Sequence, residues 1–248
     1  MSKIPKKPEE IFSGIIDDYQ QLFGDDLMAI VLYGSAASGD YIPGQSDINF
    51  MVILSEQGVD SLDRAFGLVS KWRKRNVATP LFLTEAYIRT SLDVFPIEYL
   101  NLQNNYKLVH GKDILKDLTF QDEYLRLQCE REVKGKLLLL REAFLESGGK
   151  GKRLQQVLAD SLGAFFAIFS ALLHLKGVAI PKHKREITRA FCQAFDMNGD
   201  LFEKLLDIKE KRIKLKSSEM AAVFNAYLRE VQKLWKMLDE LDKKKGSV

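Results

Sequence analysis

Two kinds of hydrophobic periodicity divide this chain. In the first half, a helical spacing of apolar residues over positions 11–23 is followed by short apolar runs of strand length. From about Glu123 onward the spacing is almost wholly helical. The pattern predicts an α/β (α+β) domain with a mixed sheet over residues 1–118, followed by an all-α helical bundle over residues 119–248.

Four strands are predicted in the first domain. They cover residues 27–33, 47–54, 77–83 and 97–102, the last beginning after Pro96. A helix over about 62–72 ends in the basic cluster Trp72–Arg75. This cluster fits contact with RNA phosphates through its charges, or an amphipathic helix end with Trp72 in the core, which is the commoner arrangement.

The most apolar segment lies in the second domain, at residues 162–175 (LGAFFAIFSALLHL). A helix that is apolar on every side must be surrounded by others, so this segment predicts the centre of the bundle. At 14 residues the run is shorter than the roughly 20 that cross a bilayer, and no membrane partner is predicted.

Composition changes this picture little. The net charge of +3 is a small difference between 37 basic and 34 acidic residues, so it argues neither for nor against a polyanionic partner. The first ten residues have no apolar core of the kind found in signal peptides. Cys129 and Cys192 match no metal or redox spacing, which predicts reduced thiols in a cytoplasmic protein.

The segment from Leu32 to Leu54 carries the candidate chemistry. A strand ending in Gly34-Ser35 and turning into a helix leaves backbone N–H groups free to bind phosphate, and Gly34 permits close approach. On the next predicted strand, Asp47 and Asn49 point to the same face because side chains alternate along a strand. Two oxygen-bearing groups beside a phosphate site can hold Mg²⁺ between protein and triphosphate.

This segment, LYGSAASGDYIPGQSDINFMVIL, resembles the signature of the DNA polymerase beta-like nucleotidyltransferase superfamily. It is most similar to the small bacterial branch that includes kanamycin and streptomycin nucleotidyltransferases. The resemblance implies transfer of a nucleoside monophosphate from a nucleoside triphosphate to a hydroxyl acceptor, with Mg²⁺ (or Mn²⁺) as cofactor. It also implies phosphate binding by Gly34, Ser35 and Ser46, and catalytic and metal-binding roles for Asp47.

The same resemblance implies a third acidic residue on a later, neighbouring strand, and a turn over residues 107–113. Glu98 is the candidate, as a general base toward the acceptor or as a third metal ligand beside Asp47 and Asn49. In this branch the helical domain closes the acceptor cleft, and the layout of this chain matches. A small-molecule acceptor is therefore expected, while nucleic acid as acceptor and a homodimer both stay open.

Asn49 departs from the family pattern, which has Asp or Glu at this position. The implied reaction uses two closely spaced dications, and carboxylates offset part of their charge. An amide oxygen can ligate a metal but brings no charge. Three interpretations follow: an active transferase with one well-held metal, a protein that binds nucleotide without turnover, and an interaction module on the transferase scaffold.

Overall fold

A computed structural model describes residues 4–245, with side chains described to residue 240. The chain forms two compact units. The first contains Met1–Asp93 and Leu102–Thr119, and the second contains Val94–Asn101 and Phe120–Val248. The predicted boundary after residue 118 differs from these units in one respect: the short segment Val94–Asn101 packs with the helical unit.

Among the described residues, the first unit has a four-stranded mixed sheet and short helices. The strands are β1 Leu27–Tyr33, β2 Asn49–Leu54, β3 Leu81–Thr84 and β4 Tyr106–Gly111, and the helices are α1 Phe12–Phe23, α2 Ser35–Ser38, α3 Glu56–Asp60, α4 Phe66–Arg73 and α5 Glu85–Thr90. The strand order is β3-β2-β1-β4. β1 runs antiparallel to β2 and β4, and β2 runs parallel to β3, so the predicted mixed sheet is confirmed.

One face of the sheet packs on α1. Phe50 and Val52 of β2 are fully buried there, in a cluster with Ile15 and Tyr19 of α1. Trp72 joins the same cluster at 3% exposure, and its indole N–H donates to the Asp18 carboxylate at 2.9 Å. The helix-end interpretation of the basic cluster around Trp72 is therefore confirmed.

Two of the four predicted strands are wrong in part or whole. Val77 forms only an isolated bridge with Ile48, and β3 begins after Pro80, since proline cannot donate to a strand ladder. Residues 97–102 belong to a helix, α6 Pro96–Asn104, and not to a strand. Pro96 fits the first turn of a helix, where its missing N–H is not needed, and Ile97 and Leu100 then point together into the helical core. The fourth strand is β4, in the segment predicted as a turn.

The second unit is a bundle of long helices. In the described residues these are α7 Asp122–Ser147, α8 Gly151–Leu175, α9 Lys184–Ala194, α10 Gly199–Lys209 and α11 Ser217–Lys245. α8 contributes the central buried side chains, as predicted. It is longer than its apolar run suggests: with 25 residues and a mean hydropathy of 1.7 over its most apolar window, it has the length and composition of a membrane span. Because 56% of that window is buried within the bundle, a core helix also accounts for it.

Candidate functional site

The candidate site lies in the first unit, at the end of the sheet where the central strand β1 ends and its neighbour β2 begins. Strand pairing places Tyr33 opposite Asn49 on one side and opposite Tyr106 on the other. Directly paired residues share a sheet face. The three side chains therefore form a row across the sheet, on the face away from α1.

Gly34 turns the chain at the end of β1. Its backbone angles, φ 73° and ψ −153°, fall in a region that only glycine occupies readily. A Cβ on Gly34 would also stand 3.3 Å from the amide nitrogen of Asn49. The turn and the amide are thus in close contact, which gives Gly34 two separate reasons to lack a side chain.

The helix after Gly34 is short, as predicted. α2 has four residues, and the amides of Ala37 and Ser38 both bond back to the Gly34 carbonyl, at 3.0 and 3.1 Å. Such a single turn adds little dipole, so any affinity for phosphate depends mainly on individual hydrogen-bond donors. The first amides of the turn, at Ser35 and Ala36, have no carbonyl partner within the helix. They and the half-buried Ser35 hydroxyl are the candidate phosphate-binding groups.

Ser46 holds the loop that leads into β2. Its hydroxyl oxygen accepts a hydrogen bond from the Ile42 amide at 3.1 Å, and its carbonyl accepts one from the Asn76 side chain at 2.8 Å. The Ser46 hydroxyl hydrogen is left to donate. This loop presents Asp47 as an exposed residue, and no described residue hydrogen-bonds to or ion-pairs with its carboxylate.

Asn49 lies beside Asp47 but contributes no charge. Its amide nitrogen donates to the Asp47 backbone carbonyl at 3.4 Å, a long hydrogen bond. The neighbouring strand supplies no acid either: Ala78 donates its amide to Ile48 at 3.0 Å, which lays residues 77–84 alongside β2, and their sequence VATPLFLT has no Asp or Glu.

The oxygen ligands available at this site, from Asp47 and Asn49, fit one Mg²⁺ ion better than two. Mg²⁺ is commonly held by one or two carboxylates together with substrate phosphates, and Asp47 with the Asn49 oxygen meets that need. No group of three or more His, Cys, Asp or Glu side chains that could hold a metal occurs in the part of the chain that the structure describes. A second closely spaced dication would lack its neutralising carboxylates.

Glu98 belongs to the second unit. It lies on α6 as an exposed residue, and its carboxylate accepts a hydrogen bond from Gln128 of α7 at 2.7 Å. The carbonyl oxygen of the same Gln128 side chain accepts from the Ile97 amide at 2.8 Å, so Gln128 ties the start of α6 to α7. The strand position predicted for Glu98 is wrong, and its role in transfer stays a prediction.

The sequence interpretation assigned no role to Tyr106 or Asp113. The Tyr106 hydroxyl donates to the Asp113 carboxylate, with its oxygen 2.8 and 2.9 Å from the two carboxylate oxygens. Burial, followed by this hydrogen bond, raises the pKa of Tyr106 to about 12. Tyr106 is the last of the three side chains in the row that begins with Asn49 and Tyr33, and Asp113 is hydrogen-bonded to it. The short run YKLVH at residues 106–110, whose tyrosine and valine are common in strands, was the signal that could have revealed β4.

Comparison with known proteins finds a likeness at the level of structure. No protein-family model matches this chain, and no curated protein matches it. Its structure is similar to the crystal structure of spectinomycin adenyltransferase AAD(9) from Enterococcus faecialis with ATP and spectinomycin, with a TM-score of 0.51. The two share 12% sequence identity over 90% of this chain and 99% of that one. At this identity the likeness establishes the fold, an α/β domain of the nucleotidyltransferase type followed by a helical region.

Proposed function

We propose that this protein binds a nucleoside triphosphate with Mg²⁺ (or Mn²⁺) and transfers its nucleoside monophosphate to a hydroxyl acceptor. The observation that carries the proposal is the pairing of β1 with β2, which brings the Gly34 turn against Asn49 and next to the uncommitted carboxylate of Asp47. A phosphate-binding turn beside a metal-binding carboxylate is the minimum that such a reaction requires.

Each group has a distinct task in this proposal. The Ser35 and Ala36 amides and the Ser35 hydroxyl hold phosphate oxygens, and Ser46 donates its hydroxyl hydrogen. Asp47 and the Asn49 oxygen hold the dication, which when bound offsets negative charge on the phosphates. Gly34 keeps the turn clear, because a side chain there would occupy the space between the phosphate groups and Asn49.

No further reactant is needed. The acceptor oxygen forms a bond to the α-phosphorus, the bond from that phosphorus to the bridging oxygen breaks, and pyrophosphate leaves while the acceptor's proton passes to solvent water. The chain supplies positioning and electrostatics for this exchange. A cytoplasmic location is proposed because nucleoside triphosphates are available there.

The first substrates to test follow from the neighbour. Spectinomycin adenyltransferase was solved with ATP and a small-molecule acceptor. We therefore propose ATP as the first triphosphate and small hydroxyl compounds, aminocyclitols among them, as the first acceptors. RNA ends are the second acceptor class in the same screen.

A second candidate function is nucleotide binding without turnover. Asn49 is neutral, and the segment 77–84 that pairs alongside it contains no acidic residue. Asp47 is therefore the one carboxylate at this end of the two neighbouring segments, which favours binding without turnover. In this case the triphosphate is bound and not consumed. Both candidates share the binding site and differ in whether the second charge needed for transfer is present.

Calorimetric titration of ATP in the presence of Mg²⁺ tests the shared site. Wild-type protein should bind, and Asp47→Asn should weaken binding by about 10- to 100-fold, the range seen when a metal site loses a supporting group. Asp60→Asn is the matched control, because Asp60 is an exposed aspartate of the same unit at the end of α3. Absence of binding by the wild type, or equal weakening by both substitutions, would remove both candidate functions.

A transfer assay separates the two candidates. Radiolabelled ATP is incubated with acceptor panels and either metal, and labelled product and pyrophosphate are both measured. Acceptor-dependent pyrophosphate release that is lost in Asp47→Asn supports the transferase. Tight binding without release, across triphosphates and both metals, supports nucleotide binding alone.

A further inference from the structure

One face of α7 carries several exposed leucines. Leu127, Leu138 and Leu145 are exposed by 56, 64 and 79%, and Leu139, further round the helix, by 64%. Single exposed leucines are ordinary on protein surfaces, but Leu127, Leu138 and Leu145 lie within about 20° of one another around the helix axis and therefore share one face. Its position points away from the bundle, because the buried side chains of α7, such as Val133 and Leu140, lie on the opposite side.

The exposed residues follow a regular order along the helix. Leu127, Arg131, Gly135, Leu138, Glu142 and Leu145 are separated by 4, 4, 3, 4 and 3 positions. At 100° per residue they fall within an arc of about 80°, and they extend over about 27 Å of helix. We call these six residues the α7 strip.

The strip carries one positive and one negative charge, placed symmetrically about its centre. Arg131 lies 3.8 Å from Glu132 in an exposed contact, and no described residue pairs with Glu142. Between them, Gly135 leaves a gap, since a Cβ built there would meet nothing within 4 Å. Leu138 stands next to that gap.

We propose that the α7 strip binds the same strip of a second copy of this chain, in an antiparallel pair related by a two-fold axis. An axis passing between residues 136 and 137 sets Arg131 opposite the partner's Glu142 and, by symmetry, Glu142 opposite the partner's Arg131. The same axis places Leu138 over the partner's Gly135 and brings Leu127 to within one position of the partner's Leu145. A single register thus pairs both charges, fills the gap at Gly135 and brings the end leucines together.

Other arrangements satisfy fewer of these features. A parallel pair in register would set Arg131 against the partner's Arg131, and like charges facing each other oppose association. A partner helix with one sign of charge would complement only one end of the strip. A self-complementary patch is what a two-fold interface requires, since the same surface appears on both sides.

Sedimentation velocity on the full chain over a range of concentrations tests this pairing. Wild type should show a monomer–dimer equilibrium, and Leu138→Glu should raise the dissociation constant at least tenfold. Phe66→Glu is the matched control: Phe66 is 73% exposed on α4 of the first unit and is not part of the strip, and the substitution should leave the equilibrium unchanged. Circular dichroism of each variant establishes that it is folded.

Charge reversal tests the register. Arg131→Glu and Glu142→Arg should each weaken the dimer, because each places two like-charged pairs in the interface. The double variant R131E/E142R should recover most of the wild-type affinity. A monomeric wild type at every concentration, a dimer indifferent to Leu138→Glu, open-ended assembly, or a double variant as weak as the singles would each overturn the proposal.

Discussion

Replacing Asn49 by Asp probes the central question of this site, which is how much negative charge it holds. Residues two apart on a strand are about 6.6 Å apart along the chain. Two carboxylates at that separation repel by about 0.6 kcal/mol in water and about 2.5 kcal/mol at an effective dielectric constant of 20. Asp47 is exposed and Asn49 half-buried, so we expect Asn49→Asp to lower the free energy of unfolding by about 1 kcal/mol without metal.

Added Mg²⁺ should reverse this loss. If the two carboxylates bind Mg²⁺ with a dissociation constant near 1 mM, then 10 mM metal stabilises the folded state by about 1.4 kcal/mol. Thermal unfolding with and without Mg²⁺ measures both effects, each shifting the midpoint by about 2–4 °C for a chain of this size. Gln57→Glu is the matched control, since it adds the same charge at an exposed position on α3 of the same unit.

Two results would refute the reasoning. Equal midpoints for wild type and Asn49→Asp, with and without Mg²⁺, would mean that positions 47 and 49 do not share a site. An equal Mg²⁺ response of Gln57→Glu would mean that the metal effect is general. The transfer assay adds a distinction: activity created by Asn49→Asp identifies the native protein as a binder, whereas an existing activity that stays unchanged or falls places the amide in a working site.

Two further predictions concern the folded state. Gly34→Ala should lower the free energy of unfolding by about 1–3 kcal/mol in chemical denaturation, because its backbone angles suit only glycine. The control Gly67→Ala, in the open on α4, should be neutral or slightly stabilising. Glu85 accepts hydrogen bonds from Lys112 and Arg89, which hold the pKa of its carboxyl below its ordinary value. Its stabilisation is therefore fully present above the pKa of an unpaired glutamate and is lost as the pH falls through the lowered pKa, so Glu85→Gln should cost about 0.5–1 kcal/mol at pH 7 and progressively less in acid.

Much of the fold was determined by local patterns in the sequence. β1 agrees with the predicted strand at both ends, and β2 begins two residues later than predicted. The helical second unit and its central helix were also predicted, because long apolar periodicity admits few alternatives. Gly34, Ser35, Ser46, Asp47 and Asn49 could be selected because a strand–turn–strand motif is a local feature.

The errors came from segments whose conformation depends on distant neighbours. Residues 97–102 have the composition of a short strand, and they form a helix because Ile97 and Leu100 reach the bundle core and Gln128 holds the helix start. β4 lies in the segment for which the family resemblance implies a turn, and its strand conformation depends on pairing with β1, more than 70 residues earlier in the sequence. Short apolar runs fit a strand or a buried helix equally well by periodicity.

The sequence by itself therefore determined which residues make the turn that we propose binds phosphate, and that one expected carboxylate is an amide. Only the tertiary structure decided what surrounds that amide. The pairing of β1 with β2 puts Asn49 against Gly34, and the segment before β3 brings no acid to its side. Charge at a metal site is a sum over groups from several strands, and the strand register that assembles them is fixed by packing across the whole sheet.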